Sequence, residues 1–352
     1  VRAGQNEKMI ESLPHNPRNA VTARIEKQTD QVADGTRTFV RKVLNANNHD
    51  HTPTEWAASS DPQHWNYWRR EALIYRSDLS QWLTGCQVRL PQMFECQQTG
   101  DDEIELTLEW IEGRHGKTLT IDDYAHIAYA WAGAQMRIAE RPWQAPWASR
   151  QFIEAYAASK PVDYALLQDD RAWQAPLIKD NWPSQLRQKL LNLYRHREAL
   201  LTILNRGPKL PSHLDLWPNN VFVTPDDMVV PIDWSFFGFG TLAEDIGNFI
   251  PDSVFDDFMS PDQLPELEKK MFTGYLDGLA DAGASFDTAL VRRLLHASAV
   301  KYVWLGPLLL ERAGQKTQSA YGGVALDDAN EQYRARGATL DFLCGWAEQA
   351  LD

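Results

Sequence analysis

A chain of 352 residues, 43% hydrophobic and 24% charged, has the proportions of an ordinary globular protein of about two domains and can bury cores without disulfide staples. Its 35 Lys and Arg against 48 Asp and Glu leave a net charge of −13, which repels a phosphate backbone and argues against a dedicated nucleic-acid binder. No run of about 18 uncharged apolar residues offers a membrane span, the first eight residues carry no signal-peptide core, and Cys86, Cys96 and Cys344 form no C-x-x-C pair, so the expected setting is a reducing cytoplasm.

Residues 9–13 read as a short first strand, followed by the glycine-free loop Pro14-His15-Asn16-Pro17-Arg18-Asn19. Residues 20–25 and 36–44 are β-branched and partly alternating, and the segment 30–35 between them ends in an Asp-Gly turn signal. After a polar loop from Asn45 to about Thr54, Asp61-Pro62 reads as the N-cap and first-turn proline of one long helix. Trp65, Trp68, Ala72, Tyr75, Leu79 and Leu83 recur along it at three- and four-residue intervals, as one buried stripe does. Most of the 14 tryptophans read as core or groove-lining residues on the same reasoning.

Residues 87–94 and 103–110 are further strand candidates, and 113–117 is a polar, glycine-bearing hinge. Beyond it the pattern turns helical, at 122–136, 150–158, 184–205, 289–310 and 329–351, interrupted by short strands at 220–223 and 228–232. A small strand-rich lobe (1–113) joined to a larger helical lobe (114–352) is an α+β arrangement, and clefts between such lobes commonly hold ligands.

The chemistry concentrates in His213-Leu214-Asp215-Leu216-Trp217-Pro218-Asn219-Asn220 and in Asp233, at the end of the apolar run Val229-Val230-Pro231-Ile232. A loop before a strand holds the Asp215 carboxylate on a rigid base. Asn220 and Asp233 supply one neutral and one charged oxygen, the donors a hard cation such as Mg²⁺ takes alongside water or phosphate. Asp215 is left to accept a proton from a hydroxyl. Zinc-protease, α/β-hydrolase and Walker motifs are absent, and His49-Asp50-His51 reads as a solvated turn.

The pattern H-x-D-x-x-x-x-N followed by I-D is that of a kinase catalytic loop and metal-binding Asp. His213 to Asn220 resembles the H-G-D-L-H-P-x-N segment of the aminoglycoside phosphotransferase and choline kinase family, and Ile232-Asp233-Trp234, Gly238 and Glu244-Asp245-Ile246 resemble its I-D-W/F…G…D-L segment. That resemblance implies a protein-kinase-like two-lobe fold: a small antiparallel-sheet lobe with one long helix, and a larger, mostly helical lobe. It also implies transfer of the γ-phosphate of ATP, with Mg²⁺, to a hydroxyl of a small-molecule acceptor. Glu244-Asp245 follow within 12 residues of Asp233, leaving no room for the long activation segment of protein kinases.

On the same resemblance Lys42 faces the α/β-phosphates and Glu71 pairs with it, while strand alternation turns Arg41 to the opposite face. Asn16 or Asn19 contacts phosphate, and main-chain atoms at Glu109-Trp110-Ile111 meet the adenine. Asp215 is the catalytic base, Asn220 and Asp233 hold the metal, and His213 braces the loop. The rival readings are a nucleotide-binding kinase-fold protein without turnover, and a sugar, nucleoside-antibiotic or amino-alcohol kinase. Eight acidic residues and no Lys or Arg between Glu244 and Glu268 point to an amine-bearing acceptor, with Tyr302 and Trp304 as an aromatic wall, or else to a solvated acidic face.

Overall fold

β-branched alternation over the first hundred residues produces a five-stranded sheet. In the computed structural model, which describes residues 8–32, 35–141, 143–315 and 328–352, its strands are β1 (Lys8–Ser12), β2 (Thr22–Val32), β3 (Gly35–Asn45), β4 (Met93–Gly100) and β5 (Glu103–Glu109). They lie in the order β1-β2-β3-β5-β4, every neighbouring pair antiparallel. The Asp34 half of the expected turn and the first seven residues of the N-terminal stretch lie outside the described residues. Pairing Lys42 with Leu106 puts both on the face that buries Leu44, Ile104 and Leu108, while Arg41 points to the other face and forks onto Glu105. β4 starts six residues later than expected because 87–89 runs beside Val229 instead, with Arg89 N–H donating to the Val229 carbonyl at 3.1 Å. Its polar residues belong to the sheet's exposed edge.

The single long helix expected from Asp61 is not formed. Two short helices replace it, α1 (Arg70–Arg76) and α2 (Leu79–Trp82). Asp61 caps only a turn, through the Gln63 amide. The carbonyls of Pro62, His64 and Trp65, which a helix spends on its own amides, accept instead from the Arg70 guanidinium at 3.2, 2.7 and 2.7 Å. Ser77 ends α1: its Oγ donates to the Ile74 carbonyl and accepts from the Leu79 amide. The apolar stripe is nonetheless buried throughout, from Trp65 to Leu83.

The remaining chain is mostly helical. α3 (Ile121–Ala139) opens on a capping box between Thr120 and Asp123. After β6 (Ser149–Arg150) come α4 (Phe152–Ala158), the short α5 (Asp170–Trp173) and α6 (Pro176–Lys179), and α7 (Leu186–Arg206). β7 (Lys209–Ser212), the hairpin β8 (Val221–Val223) and β9 (Val229–Pro231), and β10 (Gly238–Thr241) interrupt them. α8 (Glu244–Phe255), α9 (Leu264–Asp281), α10 (Thr288–Ala297), α11 (Leu305–Arg312) and α12 (Ala329–Leu351) complete the lobe. The expected helix over 289–310 is broken at a 3₁₀ turn, 298–302, and restarts so that Pro307, which has no N–H to give, falls in the first turn of α11. Among the described residues no helix is long and apolar enough to cross a membrane.

α9 lies along α3, and two glycines one turn apart allow the approach: a Cβ at Gly274 or Gly278 would collide with the carbonyl oxygens of Ala125 and Tyr129. Gly345 in α12 has nothing within 4 Å of such a Cβ. Gly278→Ala is therefore expected to lose about 1–3 kcal/mol through overpacking, and Gly345→Ala to gain roughly 0.5–1 kcal/mol from helix propensity. Urea unfolding of the two variants side by side checks both signs.

Candidate active site

The loop after β7 is held from below by one carboxylate. At the first turn of α8, Asp245 accepts from three donors: the amides of Leu214 (Oδ1, 2.7 Å) and His213 (Oδ2, 3.0 Å), and the Trp131 indole of α3 (Oδ2, 2.7 Å). This fixes Leu214 at φ +67°, a left-handed conformation in which the family segment has glycine. His213 is fully buried; its Nε2–H donates to the Ile232 carbonyl at 2.9 Å, and its Nδ1 accepts from the Asp215 amide at 3.3 Å. Burial pushes the imidazole down to about 4, so the ring is a neutral brace between the two loops that carry Asp215 and Asp233. The Asp215 carboxylate is gripped by Asn220, whose Nδ2 donates to Oδ2 at 2.9 Å and to the Asp215 carbonyl at 3.1 Å. Burial, then repulsion from Asp233, push the Asp215 carboxyl up to about 7.

Asp233 lies two residues beyond β9 at φ +57°. Its Oδ1 meets Lys42 Nζ at 2.8 Å and the Ser235 hydroxyl at 2.5 Å, and its side chain is about one-third exposed to the cleft. Lys42, 4% exposed, also contacts Glu71 Oε2 of α1 at 2.6 Å, and Ser235 Oγ sits 3.3 Å from that oxygen. Burial pulls the Lys42 ammonium down, but Asp233 and Glu71 together outweigh it and hold the group above its ordinary value. The Asp233 carboxyl is drawn up by burial and, more strongly, down by Lys42, ending below the usual carboxylate range. Lys42, Glu71, Asp233, Asn220 and Asp215 thus form one contiguous cluster, with Arg41 outside it.

The other residues singled out in the sequence are placed differently. Asn19 Oδ1 accepts from the Val21 amide and from Asn66 Nδ2, and Asn16 Oδ1 accepts from the Arg18 amide, so both side-chain oxygens close their own loop. Glu109, at the end of β5, takes the Arg89 fork at 2.7 and 2.9 Å and the Gln92 amide at 2.9 Å. Burial raises its pKa, but these donors lower it further, to a net value below the ordinary one. Ile111 is buried, and its main-chain N–H and C=O have no backbone partner among the described residues, which leaves them open to a ligand edge. Three site residues escaped the sequence reading of roles: Arg70, Ser235 and the bracing function of Asp245. Only Asp245 had a signal, its place in the D-I pair after Gly238.

A divalent cation fits the donor set. Asn220 Oδ1 and Asp233 Oδ2 accept no protein hydrogen bond among the described residues, and both are hard oxygens flanking the β8–β9 hairpin, where the Ile232 amide donates to the Asn220 carbonyl at 2.8 Å. No cluster of three or more His, Cys, Asp or Glu suited to a metal occurs among the described residues. A cation held here therefore draws its remaining ligands from water or from the nucleotide.

Comparison with known proteins fits this geometry. The sequence profile of the phosphotransferase enzyme family, APH, matches residues 34–287, well over half of the chain. The chain belongs to this family. Among solved structures, it is similar to the amicoumacin kinase hAmiN in complex with AMP-PNP, Ca²⁺ and Ami, with 12% identity, TM-score 0.53, and 95% of this chain and 88% of that one covered. It is also similar to an aminoglycoside phosphotransferase from Alicyclobacillus acidocaldarius (17%, TM-score 0.52, 92% and 90% covered) and to a choline kinase from Cryptosporidium parvum (13%, TM-score 0.51, 98% and 90% covered). No curated protein matches. At such identities the structural likeness establishes the fold, the protein-kinase-like arrangement of an antiparallel-sheet lobe and a helical lobe.

Leu214 sets two effects against each other. Glycine there relieves a left-handed strain of about 1 kcal/mol, but Leu214 is 2% exposed and packs with Trp65, Phe152 and Phe236, so its removal costs about 2–5 kcal/mol. Leu214→Gly is expected to be less stable by about 1–4 kcal/mol in chemical denaturation; a more stable variant would mean that strain dominates at this loop.

Proposed function

We propose that the protein is an ATP-dependent O-phosphotransferase that moves the γ-phosphate of ATP, in the presence of Mg²⁺, to a hydroxyl of a small molecule bearing an amine. The observation that carries this reading is that two bonded groups, Asp215–Asn220 and Glu71–Lys42–Asp233, are tied together by His213 and by the Ile232 amide donating to the Asn220 carbonyl. Nucleotide sits between lobe 1–113 and lobe 114–352, its adenine edge on the free main chain at Ile111. Lys42, held charged by two carboxylates, faces the phosphates. Asp215, with one oxygen tied to Asn220, orients the acceptor hydroxyl and takes its proton. Bound at Asn220 and Asp233, Mg²⁺ supplies charge neutralisation across the phosphate oxygens. Most of the rate comes from positioning and electrostatics, because phosphoryl transfer has a loose transition state.

The amine follows from where the acidic run goes. Glu244 and Asp245 are spent on backbone amides, Glu268 on His296, Trp346 and Arg292, and Asp257 on Lys117. Asp262 and Glu266 are on the exterior. Asp252 remains: it accepts from Tyr302 at 2.8 Å, stands 3.9 Å from Lys301 Nζ, and its charge reaches Asp215, while Asp256 lies within charge range of Asp252. A carboxylate whose charge reaches the proton-accepting Asp suits a hydroxylated ammonium compound, and an ATP-consumption screen over amino-alcohol, aminoglycoside and neutral sugar acceptors tests this. ATP consumption confined to neutral or anionic acceptors would overturn the amine.

Asp215→Asn keeps the shape and the Asn220 contact, so ATP binding should persist while turnover falls about 100-fold, the lower part of the range for a positioned base. A loss below about tenfold with the true acceptor would remove the assigned role. Lys42→Ala leaves Glu71 and Asp233 facing each other and is expected to raise the KM for ATP and to lower kcat. Arg41→Ala, on the outer face with Glu105, should change neither by more than about twofold. Steady-state kinetics in ATP separates the two.

A further inference from the structure

Beside the cluster stands an aromatic cage that already contains a cation. Lys160, just after α4, places its Nζ 3.6 Å from the ring centroid of Tyr156, 4.0 Å from Trp56, 5.4 Å from Trp65 and 5.6 Å from Trp304. The residue is 9% exposed, and its Nζ has no hydrogen-bond or ion-pair partner among the described residues. Burial, with added repulsion from Lys301 and Arg18 against the pull of Glu55, lowers the amine to about 7. The indole N–H of Trp304 is likewise buried without a partner. The unsatisfied Lys160 ammonium by itself costs stability that a methionine at 160 would avoid, so packing alone does not account for a lysine here.

The cage lies on the acceptor side. Trp65 packs with Phe152, Leu214 and Phe236, and Leu214 and Phe236 neighbour Asp215 and Asp233 in the chain. Lys301 Nζ, 5.5 Å from the Tyr156 ring, carries a charge felt at both Lys160 and Asp215. A quaternary ammonium has no N–H and depends on ring faces for recognition. A primary or secondary ammonium donates hydrogen bonds and can be held by carboxylates instead.

We propose that Lys160 is a specificity-determining residue: its ammonium is the resident occupant of the Trp56–Trp65–Tyr156–Trp304 cage, which thereby refuses quaternary ammonium and restricts acceptors to those whose amine bears N–H. The proposal rests on the phosphotransferase reading for the word acceptor, but the occupancy of the cage is independent of it.

Tetramethylammonium chloride, titrated into the full-length protein at constant ionic strength with tryptophan fluorescence as readout, tests the occupancy. Wild type should show no saturable change, Lys160→Ala should bind the probe at least about tenfold more tightly, and Lys160→Met, with the cage filled by an uncharged chain, should again refuse it. Equal binding by wild type and Lys160→Ala, or none by a folded Lys160→Ala, would overturn the proposal. A second measurement needs no variant: wild-type ATP consumption with a primary amino alcohol should exceed that with its N-trimethyl counterpart by at least about tenfold in kcat/KM, and parity would overturn the specificity claim. No consumption with any acceptor would sink the phosphotransferase reading, while the tetramethylammonium titration would still decide the cage.

Discussion

A lysine ammonium removed almost wholly from water must be met by opposite charge, and Lys42 is met twice, by Glu71 and by Asp233. The three belong to distant parts of the chain, so β3, α1 and the end of β9 have to arrive at one point together. Leaving the buried Glu71 unmatched there costs about 3–5 kcal/mol, which makes this contact a strong condition on how the two lobes meet. Arg70 secures it from the neighbouring position. Its guanidinium, fully buried, reaches the Ser235 and Trp147 carbonyls of the helical lobe and the loop carbonyls of Pro62, His64 and Trp65. No carboxylate pairs with it among the described residues, and burial lowers its pKa to about 9. A cation solvated by five carbonyls holds the start of α1 against the segment that follows Asp233, so the Lys42 triad is assembled before any ligand enters.

The loop carrying Asp215 is arranged on a different principle. There the bracing groups accept and donate neutral hydrogen bonds around a backbone bend, and one carboxylate, Asp245, absorbs the amides that the bend turns inward. His213 links this loop to the Asp233 strand through a ring that burial keeps uncharged. A charged imidazole at that place would compete with Lys42 for Asp233. Keeping it neutral leaves the lysine as the site's one firm positive charge.

What was legible in the sequence was whatever repeats or has fixed spacing. The H-x-D-x-x-x-x-N segment and the Asp233 after it located the cluster, strand alternation separated Lys42 from Arg41, and the family resemblance paired Glu71 with Lys42. The stripe also misled, because Trp65 to Leu83 is buried at helical intervals without being one helix. The interruption is made by Arg70 and Ser77 side chains bonding to backbone carbonyls, a competition that leaves no periodic trace. Asn19 Oδ1 likewise accepts from the Val21 amide and from Asn66, a partner 47 residues away that no local spacing marks. The acidic run after Glu244 read as one block of charge, yet folding distributes it among helix-cap, bracing and surface duties and leaves the charge of Asp252 within reach of Asp215.

Charge around the proposed transfer point then constrains the ligand. Lys42 contributes one positive charge, and Glu71 and Asp233 already exceed it, with Asp215 adjacent and the whole chain at −13. A bare polyphosphate brought to that point meets net repulsion, which the low-dielectric interior strengthens. The nucleotide can be drawn in only if positive charge enters with it, and Asn220 Oδ1 and Asp233 Oδ2, without donors among the described residues, can receive that charge. The opposite holds on the acceptor side, where Lys301 already stands 3.9 Å from Asp252 and its charge reaches Asp215. Carboxylates there have partial cationic company, so an ammonium acceptor must displace or outcompete it by forming directed hydrogen bonds. Affinity for the acceptor should accordingly depend more on the placement of its N–H groups than on its total charge.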